Sequence, residues 1–347
     1  MDRTGQLLNT LPGQIVRSIE DTPVSYNVIV MGESYSGKSS LISSLFSIET
    51  DSELIRDDTL FHEVCDMACT NNPLAELMDT EAHCLERNNT SISATRYILN
   101  ESGIKMNLTV YEIGGIGDSV NSSYDWVPAK NLVLNRYEEY HMEEDHGQLK
   151  EDKRIHACLY LISPTDVLRE IDVLCMYEMG KITNLIPIIS KSDMLTEEKY
   201  REMKEAVCSH LISRNVQLFD SICVDECKKV VELNFLPLKF STPGRVYPYG
   251  TSSENDADVC TLRDLLISQH LVDLKEVTDG YYETYRRNKL IVEILIVKDS
   301  GISEDFQRRM ELEEAKAKKL AKKIEEKKAS YQILIAQHKN AIPKELL

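Results

Sequence analysis

The feature that most constrains this chain is a glycine-rich loop placed between a strand pattern and a helix pattern. Residues 32–39 read Gly-Glu-Ser-Tyr-Ser-Gly-Lys-Ser, which has the spacing of a phosphate-binding loop. The apolar residues 28–31 predict a buried strand before it, and residues 40–46 predict the start of a helix after it. The backbone N–H groups of such a loop and the helix N-terminus attract phosphate oxygens. The alternative is a glycine turn that arises by chance.

Two side chains of this loop have specific expected roles. Lys38 is expected to reach the β- and γ-phosphates of a nucleoside triphosphate, and the Ser39 hydroxyl is expected to ligate Mg²⁺. The loop does not identify the base. The expected phosphate-binding residues are consecutive: Gly32, Glu33, Ser34, Tyr35, Ser36, Gly37, Lys38, Ser39 and Ser40.

Composition limits the class of protein. The chain has 347 residues, enough for one large domain with an appendage or for two domains, and 42% apolar residues can supply a sizeable core. The formal net charge of −17 opposes non-specific binding to nucleic acid or to anionic membranes. Nine scattered cysteines and no visible signal peptide favour a reducing, cytoplasmic location. The longest apolar run is far too short to span a membrane.

The order of patterns along the chain predicts an α/β fold. Strand-like apolar runs alternate with helical patterns, which is typical of a doubly wound, mostly parallel sheet covered by helices on both faces. In such sheets ligands bind at the carboxyl ends of the strands, where the glycine-rich loop would lie. The four predicted strands are residues 26–31, 106–113, 157–162 and 184–189.

A long acidic and polar stretch, residues 47–95, separates the first helix from the next predicted strand. In P-loop GTPases this is the place of switch I, a loop that responds to the γ-phosphate. The stretch also contains five potential metal ligands, so a zinc site and a surface helix with buried thiols both remain open. These residues are His62, Cys65, Cys69, His83 and Cys84.

A second glycine cluster ends the strand at 106–113. In GTPases this position carries Asp-x-x-Gly, whose Asp holds Mg²⁺ through water and whose Gly N–H meets the γ-phosphate. Here Glu112 replaces the Asp and Gly115 occupies the glycine position. Ile116 follows in place of a glutamine that could orient water. Both changes predict that hydrolysis is very slow or absent.

A third motif follows the strand at 184–189 and reads Lys191-Ser192-Asp193. In GTPases the Asp of Lys-x-Asp accepts both N1–H and the N2 amino group of guanine. Adenine offers no such pair of donors, so the motif selects guanine. The alternative is an ordinary polar helix cap.

With these motifs, the chain resembles the septins, the GTP-binding filament proteins of the eukaryotic cytoskeleton, from about residue 11 to residue 290. The loop at 32–40 is similar to the septin P-loop, and Lys191-Ser192-Asp193 is similar to the base-binding segment. General GTPases lack the last segments of the resemblance. The further similar segments are residues 115–118, 154–165, 244–250, 273–278 and 282–286.

The resemblance implies a P-loop GTPase domain at residues 25–290, with a septin unique element at about 240–290. Residues 1–24 would be an N-terminal extension and 291–347 a helical C-terminal extension. The family buries GTP or GDP with Mg²⁺ in a subunit contact called the G interface, and a second contact at the N- and C-termini completes a filament. Carried over by position, Asp193 and Arg245 would contact the base, and His156 and Tyr249 would lie in the G interface.

The implied function is that of a filament subunit that scaffolds cytokinesis at a cytoskeletal division site, with other septin subunits as partners and the nucleotide mainly structural. The alternative is a monomeric GTPase switch that hydrolyses GTP in signalling. The sequence also departs from the family. The switch I threonine that would hold Mg²⁺ falls at Asn89 or Thr90, and residues 17–23 lack the basic cluster through which septins bind phospholipid membranes.

The C-terminal tail has a different composition. Residues 303–340 are rich in Glu, Lys and Ala, which predicts a long helix. One heptad register places apolar residues at most a and d positions, but Glu313 and Lys327 interrupt it. A weak two-stranded coiled coil and a solvated single helix both remain open.

Overall fold

The structure of the protein is a computed structural model. The residues that it describes are 24–46, 54–55, 90–101, 104–147, 151–164, 168–219, 237–241, 246–247, 250–251, 257–300, 315–316, 318–319, 322–323 and 328.

A seven-stranded sheet forms the centre of the fold, with the spatial order β2-β3-β4-β1-β5-β6-β7. A separate two-stranded antiparallel hairpin contains β8 and β9. The strands are β1 (Val24–Gly32), β2 (Leu54–Ile55), β3 (Ser91–Glu101), β4 (Ile104–Gly114), β5 (Ala157–Ile162), β6 (Leu185–Ile189), β7 (Leu238–Lys239), β8 (Val246–Tyr247) and β9 (Gly250–Thr251).

The strand β1 is the middle of the parallel part of the sheet, and all nine of its residues are buried. It pairs in parallel with β4 on one side and with β5 on the other, and β5, β6 and β7 continue in parallel. The connections therefore leave β1 in opposite directions, which opens a crevice at its carboxyl end. The predicted α/β fold with a mostly parallel sheet is confirmed.

The strand β3 was not predicted. It pairs antiparallel with β4 over its whole length, from Ser91 opposite Gly114 to Glu101 opposite Ile104. Its polar and β-branched residues are half-buried or exposed near the edge of the sheet, so they lack the apolar run that marks a buried strand. The acidic stretch at 47–95 consequently ends in a strand, and the potential zinc ligands between His62 and Cys84 lie outside the described residues.

Six α-helices complete the described part of the fold. A 3₁₀ turn (Ser192–Met194) follows β6, and a π-helical turn (Asp264–Gln269) joins the last two helices. The helices are α1 (Lys38–Phe46), α2 (Val127–Asp145), α3 (Glu170–Gly180), α4 (Glu197–Ser213), α5 (Ala257–Arg263) and α6 (Leu271–Ser300).

The helix α1, which carries the P-loop lysine, is held by its apolar face and at its C-terminus. Its apolar face packs into the core beside β1, with Leu41 and Leu45 fully buried. At its C-terminus the guanidinium of Arg263 donates to the carbonyls of Leu45 at 2.7 Å and Ser44 at 2.6 Å. The final carbonyls of a helix have no partner within the helix, so Arg263 supplies the missing donors from α5.

The chain divides into two units, Met1–Arg286 and Arg287–Leu347. The first ends close to residue 290, where the sequence places the end of the GTP-binding domain. In the second unit, the described residues up to Ser300 belong to α6, and those between 315 and 328 are also helical. The a and d positions of the predicted coiled coil lie outside the described residues. None of the described helices is both long and apolar enough to cross a membrane.

Candidate nucleotide-binding site

The loop after β1 has the backbone conformation that a phosphate-binding loop requires. Gly32 and Gly37 have φ angles of 154° and 97°, a region that favours glycine. A Cβ atom on Gly32 would lie 2.7 Å from the carbonyl oxygen of Leu161 in β5, so only glycine fits between the loop and the sheet. Tyr35, also at positive φ, is 92% exposed at the tip of the loop. The chain therefore turns sharply from β1 into α1.

The Lys38 side chain folds back over this loop. Its Nζ donates to the carbonyl of Glu33 at 2.7 Å and lies 3.5 Å from both the carbonyl of Gly32 and the hydroxyl of Ser36. Burial lowers the pKa of Lys38, and the nearby Glu112 carboxylate partly opposes this effect. A buried ammonium group is stabilised by an anionic partner, and the phosphate of a nucleotide would be such a partner.

Ser39, the expected Mg²⁺ ligand, contacts Glu112, for which the sequence predicts at most a contact to Mg²⁺ through water. The Ser39 hydroxyl donates to Oε2 of Glu112 at 2.7 Å, which joins the first turn of α1 to the end of β4. A hydroxyl and a carboxylate are oxygen ligands of the kind that Mg²⁺ prefers. The two residues fit a magnesium ion beside the P-loop. Among the described residues no three acidic, His or Cys side chains gather as a metal-binding group.

The segment after β4 lies against the P-loop. Gly115 has a φ of 90°, and a carboxylate oxygen of Asp118 accepts from the backbone N–H of Ser34 at 3.3 Å. A Cβ atom on Gly114 would lie 3.2 Å from Nζ of Lys38, so the glycine gives the ammonium group room at the end of β4. Ile116 is fully buried. Its side chain is directed away from solvent and has no polar atom with which to orient a water molecule.

Three residues that sequence reasoning missed complete this side of the site. Ser163, just after β5, donates its hydroxyl to the Glu33 carboxylate. Arg169, just before α3, lies 3.5 Å from the other oxygen of Glu33. Phe240, just after β7, lies near the P-loop, because a Cβ on Gly37 would be 3.7 Å from its ring. All three follow parallel strands, and their position after a strand was the signal that could have identified them.

The predicted base-binding segment lies next to the P-loop at the same edge of the sheet. Lys191 has a φ of 50°, which turns the chain at the end of β6 into the 3₁₀ turn that carries Asp193. The N–H of Ser192 donates to the carbonyl of Phe240 at 3.0 Å. Phe240 therefore touches both halves of the predicted site, and the carboxyl ends of β1, β4, β6 and β7 bring the motifs together.

His156 is a correction. It precedes the first residue of β5, at the amino edge of the parallel strands, whereas the P-loop follows the carboxyl end of β1. It has no exposed surface: its Nδ1 accepts from the N–H of Asn27 at 3.0 Å, and its Nε2 lies 3.3 Å from Asp152. A fully enclosed side chain at the opposite edge cannot contact a partner that covers the nucleotide, so the expected place of His156 in the G interface does not hold.

Of the remaining predicted residues, only some lie within the described part of the chain. Thr90 is described and half-buried directly before β3, whereas its rival for the switch I position, Asn89, lies outside the described residues. Arg245 and Tyr249, the expected base and interface contacts, also lie outside them. Ser40 lies in the first turn of α1, half-buried beside Ser39.

Comparison with known proteins adds evidence that is independent of this geometry. The sequence profile of the septin family matches residues 22–235 and 239–299. The chain belongs to the septin family. It is 30% identical to mouse neuronal-specific septin-3 over 309 residues, which cover 82% of each chain. It is 29% identical to human septin-8 over 346 residues, which cover 92% of this chain and 65% of the relative.

Solved structures agree with the fold. The septin GTPase domain from Chlamydomonas reinhardtii matches 76% of this chain and 98% of its own, with a TM-score of 0.53 and 18% sequence identity. The family match covers the P-loop, the glycine cluster and the Lys-x-Asp segment of this septin. It therefore supports the resemblance that these three motifs carry.

Proposed function

We propose that this septin binds a guanine nucleotide with Mg²⁺ in the crevice at the carboxyl ends of β1, β4 and β6. The observation that carries the proposal is the meeting of three motifs at one edge of the sheet: Lys38 with the P-loop, Ser39 with Glu112, and the turn that carries Asp193 beside Phe240. Separately they are common patterns, but together they provide phosphate, metal and base sites in the order along the chain that a GTPase requires.

Each residue has a distinct part in this binding. The loop N–H groups and Lys38 would hold the phosphates, Ser39 and Glu112 would hold the metal, and the Asp193 carboxylate would accept from the guanine edge. The bound ion would neutralise phosphate charge. Arg245 would stack on the base and Thr90 or Asn89 would complete switch I; both remain proposals from the resemblance.

The proposed role is structural, with very slow or absent hydrolysis. Ile116 is fully buried, and Glu112 already bonds to the metal-binding hydroxyl of Ser39. Neither is placed to activate water in the way that fast GTPases do. We further propose that the protein assembles with other septin subunits into cytoskeletal filaments at division sites. The sequence offers no basic cluster at residues 17–23 for membrane binding.

The guanine-binding proposal is tested by selectivity. Fluorescent GDP and ADP should be titrated into the wild type and into Asp193→Asn, with Asp145→Asn, a change at the exposed C-terminal end of α2, as the matched control. Asn cannot accept two donors as a carboxylate does, so Asp193→Asn should lower the preference for GDP by about tenfold or more. A wild type that binds ADP as tightly as GDP overturns the proposal.

The assembly proposal is tested by the mass of the purified chain, from light scattering after size exclusion. An oligomer that retains guanine nucleotide supports a filament subunit. A monomer that exchanges and hydrolyses nucleotide supports the alternative, a signalling switch.

A further inference from the structure

The P-loop contains an acidic residue at an unfavourable position. Glu33 is the second residue of the loop, and its side chain is partly buried, with 35% exposed. A carboxylate so close to the proposed phosphate site repels the polyphosphate, and partial burial weakens the screening by solvent. The loop can therefore bind an anionic ligand tightly only if a neighbouring positive charge compensates the negative charge of Glu33.

Two neighbours hold and compensate this carboxylate. Ser163 donates its hydroxyl to Oε2 of Glu33, and Nη1 of Arg169 lies 3.5 Å from Oε1. Ser163 contributes a hydrogen bond but no charge. Among the described side chains, Arg169 forms an ion pair with Glu33, so its guanidinium supplies compensating charge beside the carboxylate.

Arg169 is itself held rigidly. Its Nε and Nη2 donate to the two oxygens of Asp172, each at 2.9 Å, and Asp172 is buried and accepts from the hydroxyl of Tyr160 at 2.7 Å. The bond to Asp172 raises the pKa of Arg169, so its charge is permanent. A planar guanidinium bound in this two-pronged way keeps its orientation. The cation beside Glu33 is therefore a fixed part of the fold.

The same guanidinium reaches the glycine cluster after β4. Nη2 of Arg169 donates to the carbonyl of Ile116 at 3.4 Å. A Cβ on Gly117 would lie 2.8 Å from Nη1, so the absence of a side chain there lets Arg169 lie against the backbone. One side chain thus contacts the P-loop and the segment that carries the proposed γ-phosphate contact, Gly115.

We propose that Arg169 is a positioning residue for nucleotide binding: it neutralises Glu33 in the P-loop and ties the loop to the segment at 115–117. The inference rests on the proposed nucleotide binding and adds to it a residue outside the three motifs. Without Arg169, the charge of Glu33 opposes the phosphates. When the charges of both Arg169 and Glu33 are removed, this repulsion of the phosphates is removed as well.

A role of Arg169 through charge can be distinguished from a purely structural role. If Arg169 only braces Asp172, its loss damages the fold whatever residue 33 is. If Arg169 acts through the charge of Glu33, then Glu33→Gln restores binding to a variant that lacks Arg169. Gln keeps an acceptor for Ser163, and Lys38 bonds to the backbone carbonyl of Glu33, which the change leaves in place.

The experiment measures the dissociation constant of fluorescent GDP in excess Mg²⁺ at low salt, on the full chain. We expect Arg169→Gln to weaken binding by about tenfold, because one uncompensated charge lies near the phosphates. Glu33→Gln should bind within about twofold of wild type, as should the double variant Arg169→Gln/Glu33→Gln. Arg169→Lys, which keeps the charge, should fall between wild type and Arg169→Gln.

The matched control is Arg286→Gln. Arg286 lies 3.7 Å from Glu283 within α6, an exposed ion pair that does not adjoin Arg169, so its loss should leave GDP binding unchanged. If Arg169→Gln does not fold because Asp172 is left buried and charged, the same comparison is made on Arg169→Gln/Asp172→Asn, with and without Glu33→Gln.

Two results overturn the inference: GDP binding to Arg169→Gln equal to that of wild type, or a double variant that binds no better than Arg169→Gln. A wild type that binds no GDP overturns the proposed function instead. The two failures are therefore distinguishable in one set of titrations.

Discussion

Glu112 is the residue at which the proposed Mg²⁺ site differs from that of a fast GTPase. Its carboxylate is one methylene longer than the usual Asp and bonds directly to Ser39 at 2.7 Å. We expect wild-type turnover well below about one per second, and Glu112→Asp should raise it by about tenfold if carboxylate length is the main defect. The measurement is phosphate release with saturating GTP and Mg²⁺. Glu205→Asp on exposed α4 is the control; an unchanged rate in Glu112→Asp would shift the cause to switch I.

We expect His156 to make the stability of the protein depend on pH. Burial lowers its pKa, with smaller contributions from Lys275 and Arg154, while Asp152 opposes the shift. The unfolded chain, whose His pKa is about 6.5, therefore takes up protons that the folded chain refuses. The contribution of His156 to the free energy of unfolding is fully present above about pH 6.5. It decreases as the pH drops below that value, before the carboxylates begin to titrate near pH 4.

Urea unfolding at pH 8, 6.5 and 5.5 measures this dependence. In His156→Gln the fall between pH 6.5 and 5.5 should be smaller than in wild type, although the variant is less stable at every pH. His146→Gln, at the exposed end of α2, is the control. Equal slopes in wild type and His156→Gln would show that His156 is not the group that titrates.

At the residue scale, the sequence identified the groups that have fixed spacing within a motif. The structure brings Lys38, Ser39 and Glu112 close together, because the loop and strand ends that carry them are defined by local pattern, and their binding roles stay predictions. Arg169 and Phe240 were missed because neither belongs to a motif. Each follows a different strand, and their proximity to the P-loop exists only once the sheet has formed. His156 was misplaced because its role was taken from the resemblance alone, although the strand predicted at 157–162 begins directly after it and so puts it at the amino edge of the sheet.

At the element scale, strands buried on both faces were predictable and the edge strand was not. The strand β5 has the predicted bounds, and β1, β4 and β6 differ from prediction by one or two residues at their ends. The strands β5 and β6 are continuous apolar runs, whereas β1 and β4 are largely apolar but include polar residues such as Asn27 and Thr109. The strand β3 has a mixed polar sequence, and its stability comes from pairing along β4, which no local pattern reveals.

Arg263 is expected to stabilise α1 from a distant part of the chain. Its two bonds to the carbonyls of Leu45 and Ser44 close the C-terminus of the helix that carries Lys38. Arg263→Ala should lower the free energy of unfolding by about 1–3 kcal/mol, since it leaves those carbonyls without their donor. Chemical denaturation measures the change. Arg286→Ala, which removes an exposed pair with Glu283 on α6, should cost less than about 1 kcal/mol; an equal effect of the two changes would contradict the capping role.

At the scale of the whole molecule, the described residues of the proposed nucleotide site lie within one unit of the chain. The P-loop, the glycine cluster and the base-binding segment all belong to Met1–Arg286, whereas Arg287–Leu347 is a separate unit. Removal of residues 303–347 should therefore leave the GDP dissociation constant and the thermal midpoint close to wild type. Paired or lateral assembly should weaken, as light scattering would show. A truncated chain that fails to fold would place the tail within the core.

The central claim is that the crevice around Lys38 holds a guanine nucleotide in a septin subunit. The most direct test is the nucleotide content of the gently purified protein, released by denaturation and separated by chromatography. We expect about one GDP or GTP per wild-type chain, a similar amount in the exposed-helix control Lys199→Ala, and none in Lys38→Ala, which lacks the phosphate-binding ammonium. Adenine nucleotide in the wild type, or as much guanine nucleotide in Lys38→Ala as in wild type, would contradict the claim.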